Sequence, residues 1–144
     1  MDKNTTSALY RILDNSSNID EFMNEYDFEL KTSSFEEYIN ILAKEKNCSI
    51  PEIISRGYMK ESYCYQLFKG IRKPSRDKII QLCFGMKLTL QESNKLLRAG
   101  EKNELYCRNK RDAVIIFGLN NNLAIIDVEE VLCNRGLETL LNIE

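Results

Sequence analysis

The sequence predicts an all-α protein, on three observations. Helix-start signatures recur: Ser34-x-x-Glu37, Ser49-x-x-Glu52 and Thr89-x-x-Glu92 each place a hydroxyl, and three residues later a carboxylate, at the head of an apolar run. In such a box the two side chains satisfy N–H groups that the first helical turn leaves unpaired. Apolar residues then return at intervals of three and four, and strand-like alternation is scarce. Finally, only 2 Pro and 6 Gly interrupt the 144 residues, so little breaks that spacing.

The elements follow in order. An N-terminal helix is expected around Leu9, Ile12 and Leu13. Ser17-x-x-Asp20 introduces another, with Ile19, Phe22, Met23 and Tyr26 on one side. The Ser34 box opens a helix with Phe35, Tyr38, Ile39, Leu42 and Ala43 inward. The Ser49 box opens the next, with Ile50, Ile53 and Ile54 inward and Pro51 tolerated in the first turn. Between Lys60 and Lys69, Met59, Cys64 and Leu67 turn to the core. Ser75 caps a stretch carrying Ile79, Leu82, Cys83 and Met86, and the Thr89 helix closes near Gly100. Asn109, with Asp112 at N3, introduces "AVIIFGL", apolar nearly all round and so expected to be buried on several sides. A last helix from about 125 to 135 ends at Gly136 as C′.

Composition narrows the function. His is 0, which removes His-based acid–base chemistry, Cys-His nucleophiles and Cys/His zinc sites. The five cysteines (Cys48, Cys64, Cys83, Cys107 and Cys133) are odd in number and never form a C-x-x-C pair, so reduced structural thiols are expected. No Gly-rich phosphate loop, metal cluster or nucleophile elbow is present, so the reading is a protein that is not an enzyme and has no cofactor. No run approaches the roughly 18 apolar residues of a membrane span, and the first residues lack a secretory h-region. The expected location is the cytoplasm, with no membrane partner.

Charge is segregated. Residues 1–56 carry 6 basic and 11 acidic side chains, residues 57–111 carry 13 and 5, and residues 112–144 carry 1 and 6. A middle segment of net +8 inside a chain of net −2 points to a local polyanion-binding surface.

That middle segment holds the functional constellation. Two helices flank the tight turn in "SRGYMKES", the arrangement of a helix-turn-helix whose later helix enters the major groove. "KGIRKPSRDK" follows at once, clustering Arg72, Lys73, Arg76 and Lys78 around Pro74 ahead of a helix start that suits phosphates. "SYCYQLFKGIRKPSRDKIIQLCFGMKLTLQESNKLL" resembles the lambda-repressor-like, xenobiotic-response-element class of helix-turn-helix proteins over about residues 35–99. The resemblance implies a five-helix lambda-repressor-like core with extra helices at both termini. By position it places Glu61, Ser62, Tyr65 and Gln66 toward base edges, and Lys60, Lys69, Arg72, Lys73, Arg76 and Lys78 toward phosphates. Gln66 suits adenine, and Ser62 either kind of edge. Two positions depart from the family pattern. Its turn glycine falls on Tyr58, with Gly57 one place early, and its helix-capping Ser/Thr falls on Lys60.

The expected organisation is an N-terminal helical extension (1–33), a DNA-binding domain (34–100) and a C-terminal helical extension (101–144). The expected function is sequence-specific binding of double-stranded DNA in transcriptional regulation. The alternative is the same fold acting as a protein-interaction adaptor or antitoxin-like partner, which the overall acidity and the altered turn favour. Residues 109–144 hold more apolar surface than one helix pair hides. That surface either packs on the central domain or forms the contact of a homodimer.

Overall fold

Side-chain caps set where most of the helices begin. The computed structural model describes residues 6–15, 17–20 and 34–141, and the chain divides into two units, 1–32 and 33–144. In the first unit, α1 (Thr6–Asp14) is closed by Asn15, whose backbone N–H and Nδ2 both donate to the Arg11 carbonyl. The helix expected through Phe22, Met23 and Tyr26 lies outside the described residues. The second unit holds α2 (Phe35–Glu45), α3 (Ile50–Gly57), α4 (Glu61–Phe68), α5 (Arg76–Gly85), α6 (Leu90–Ala99), α7 (Lys110–Asn120) and α8 (Ile125–Asn134). The described residues are thus all-helical, with no strand among them. None of these helices is long and apolar enough to cross a membrane.

The boxes of Ser49 and Thr89 close in both directions, whereas at α2 only the Ser34 hydroxyl accepts, from the Glu37 N–H. The Ser49 amide holds the Glu52 carboxyl below its usual range. Burial would raise that of Glu92, but bonds from Lys46 and the Thr89 amide lower it. All seven helices of the second unit then end alike. A residue at positive φ (Asn47, Tyr58, Gly70, Lys87, Glu101, Asn122 or Gly136) is followed by an N–H that reaches back to a carbonyl of the last turn, as from Met59 to Ile54 and from Leu88 to Cys83. Gly100 is not one of these residues: its φ is −86°, and a Cβ there would lie 2.5 Å from Ile79 Cδ1. Close packing, not a left-handed turn, explains that glycine.

α5 is the centre of the unit. It packs between α3 and α6, and Ile79 through Gly85 are all buried. α2 closes over α4 and α6, while α7 lies against α6 and α8. The expectation that α7 is buried on several sides holds for all of its apolar run but Phe117. Ile115, Gly118 and Leu119 are buried and Val114 and Ile116 half-buried, whereas Phe117 is 58% exposed. Ile125, Val128 and Leu132 of α8 join the same core. The segment beyond α8 folds back, and the Leu140 and Leu141 amides donate to the buried Glu129 carboxylate.

Two crossed ion pairs tie the start of α5 to the start of α7. Arg76 donates through Nη1 and Nη2 to both oxygens of Asp112 (3.0 and 2.8 Å) and through Nε and Nη2 to the Asn103 and Glu104 carbonyls. Arg111 does the same in the other direction, to Asp77 (2.9 and 3.0 Å) and to the Glu138 and Thr139 carbonyls. Each guanidinium therefore joins two helix starts and a non-helical segment through its planar fork of donors.

The cysteines divide. Burial pushes the thiols of Cys64 and Cys83 up to about 11 and about 12, so both stay protonated at neutral pH. Cys107 and Cys133 are exposed and Cys48 is half-buried.

Candidate nucleic-acid interface

α4 turns Cys64, Leu67 and Phe68 into the core. Glu61 and Ser62 are exposed on its outer side, with Tyr65 and Gln66 half-buried beside them.

Residues 58–60 set where α4 starts. Tyr58 takes the left-handed conformation (φ 53°, ψ 45°) although it is not glycine. Gly57 is helical and buried, and a Cβ on it would meet the Gln81 carbonyl oxygen at 2.8 Å. The glycine is one residue early because α3 needs it against α5, and the strain of the turn falls on Tyr58 instead. Gln81 fixes that turn, its Nε2 donating to the Gly57 (3.0 Å) and Tyr58 (3.3 Å) carbonyls. Lys60 sits at the N-cap of α4 and supplies no side-chain cap, which leaves first-turn N–H groups open to an anion.

The other end of α4 is held from α2. Asn40 Nδ2 donates to the Phe68 carbonyl at 2.9 Å. Gly70 (φ 75°) lies where a Cβ would come within 2.5 Å of Glu36 Oε2. Past Gly70 the chain turns back along α4. Arg72 Nε donates to Gln66 Oε1 at 2.7 Å, and its guanidinium lies 5.3 Å from the Tyr63 ring centroid. The Lys78 ammonium lies 5.7 Å from the same ring. Burial raises the Tyr63 hydroxyl, against the lowering effect of Arg72.

Of the six cations expected at phosphates, Lys60, Lys69, Arg72 and Lys73 are exposed and Lys78 is half-buried. None of these five forms an ion pair among the described residues. Arg76 does not join them, since its guanidinium is spent on Asp112 and two carbonyls. The sequence leaves Tyr63 open between core and DNA contact, and the structure makes it a platform for two cations. Its signal was the spacing to Gln66, three residues on and so on the same side of the helix. Comparisons with protein-family models, curated proteins and solved structures found no match for the chain.

Proposed function

We propose that this chain binds double-stranded DNA in a sequence-specific way as a transcriptional regulator. In this reading α2 to α6 act as a lambda-repressor-like helix-turn-helix core with α4 in the major groove. One observation carries it: five cations that form no ion pair among the described residues lie at the ends of, and after, a short helix whose outer side offers Ser62 and Gln66. Arg72 holds the Gln66 carbonyl from one side, which pre-orients the amide; the second lone pair and the NH₂ remain for an adenine edge. Glu61 is compatible with a cytosine amine. Tyr65 sits beside these residues.

Binding is expected to weaken with salt, log K falling by about 0.9 per phosphate neutralised. Lys73→Ala should weaken all sequences alike and flatten that slope by about one contact. Gln66→Ala should relax preference at one or two base pairs, by about 1–3 kcal/mol, with the slope unchanged. Selection from random duplexes and titration against salt read both effects. A salt-insensitive complex, or no complex at low salt, would overturn the reading in favour of a protein-interaction adaptor.

One recognition helix reads few base pairs, so we propose a homodimer that reads half-sites about 34–36 Å apart. The exposed Phe117 stands beside a groove lined by Val114, Val131 and Leu137, which favours α7 and α8 as the contact. Phe117→Lys is then expected to give a monomer in sedimentation at concentrations where the parent is a dimer. A parent that is monomeric at micromolar concentration, or a variant that remains dimeric, would overturn it.

A further inference from the structure

A second cavity, of about 320 Å³, lies where the α3–α4 turn meets the α7–α8 corner, away from the outer side of α4. Its size falls in the range of small-molecule sites. Phe84, Leu119, Leu123 and Ile125 give it an apolar interior, and Tyr58 forms part of the wall. Two cations, Arg56 and Lys87, line it, and no carboxylate does.

Those cations have capacity to spare. Arg56 Nε is buried without a hydrogen-bond partner. Arg56 Nη2 contacts Cys48 Sγ (3.2 Å) and lies a long 3.7 Å from Glu52, whose other oxygen is held by Ser49. A buried donor left unpaired is unfavourable, so this guanidinium, which lines the cavity, is not fully satisfied by the protein. Lys87 forms no ion pair among the described residues. Its positive φ of 53° is held by the Leu88 N–H bond to the Cys83 carbonyl. The start of α8 also borders the cavity: its N-cap, Ala124, offers no side-chain acceptor, and Asp127 in its first turn does not line the cavity.

We propose that this cavity binds a small amphipathic carboxylate, its chain among Phe84, Leu119, Leu123 and Ile125 and its head at Arg56 and Lys87. The carboxylate matches the planar fork of Arg56, and a single charge matches a site with so few polar groups. The site is separate from the DNA reading, and its test needs no DNA.

Calorimetric titration of the full chain, below micelle concentrations, with decanoate, decyltrimethylammonium and acetate separates head from tail. Decanoate should bind one to one, the cationic surfactant at least about tenfold more weakly, and acetate undetectably; charge-assisted bonds supply a difference of that size. Arg56→Gln and Lys87→Asn should each weaken decanoate by about tenfold. Lys87→Asn is the safer variant, since asparagine tolerates positive φ and the site is at the surface. Equal affinity for both surfactants would overturn the proposal. So would full decanoate affinity in folded Lys87→Asn, or the absence of decanoate binding.

Discussion

Asp112→Ala is expected to destabilise the chain by about 3 kcal/mol, more than removal of any other carboxylate in an ion pair here. The Asp112 side chain is only 7% exposed, and it accepts two bonds from Arg76 and one from the Tyr106 amide. Alanine would leave the guanidinium, itself 27% exposed, with its two backbone carbonyls only, and would leave the Tyr106 donor unpaired. Asp77→Ala removes the matching bidentate partner of Arg111, but Asp77 is 35% exposed and water can replace it. Its effect should be about half as large. The midpoint and slope of urea unfolding measure both. Similar losses for the two variants, or a loss below about 1 kcal/mol for Asp112→Ala, would rank the Arg76 pair with ordinary surface bridges.

The same residues show how far the sequence could be read. Helix starts were legible because capping is local: Ser49, Ser75, Thr89 and Asn109 act within three residues of themselves. Helix ends were legible where glycine takes the positive φ, at Gly70 and Gly136, and where a polar break follows the apolar run, at Gly100–Glu101 and Asn120–Asn122; they were hidden where Asn47 and Lys87 take it. The crossed pairs were hidden for a different reason. Arg76 and Asp112 are 36 positions apart, and nothing in "RKPSRDK" or "CRNKRD" says which cation turns outward and which pairs. A motif gathers charge by segment, whereas the fold assigns it donor by donor. Arg76, expected beside Arg72 and Lys73 at phosphates, anchors α5 to α7 instead. The partners of Tyr63 and Asn40 were hidden likewise, since they come from the loop after α4 and from other helices.

Neighbouring substitutions at the α3–α4 turn should move stability in opposite directions. Gly57→Ala puts a Cβ 2.8 Å from the Gln81 backbone oxygen and 3.3 Å from Met59 Cγ. The methionine side chain can move, but the carbonyl belongs to the central helix and cannot move without shifting α5. A loss of about 2–3 kcal/mol follows, as for overpacking of a rigid site. Tyr58→Gly acts on the other side of the turn. Tyr58 is 55% exposed and holds a φ of 53°, where an L side chain is strained by roughly 1–2 kcal/mol. Glycine removes that strain, while the unfolded chain gains part of the benefit back as backbone freedom. The net expectation is a gain of about 0.5–1 kcal/mol. Urea unfolding of the two variants and the parent gives both signs in one experiment. If Tyr58→Gly lowers stability, the tyrosine ring contributes packing that outweighs the strain; if Gly57→Ala is neutral, α3 and α5 do not meet as closely as the Gln81 contact requires.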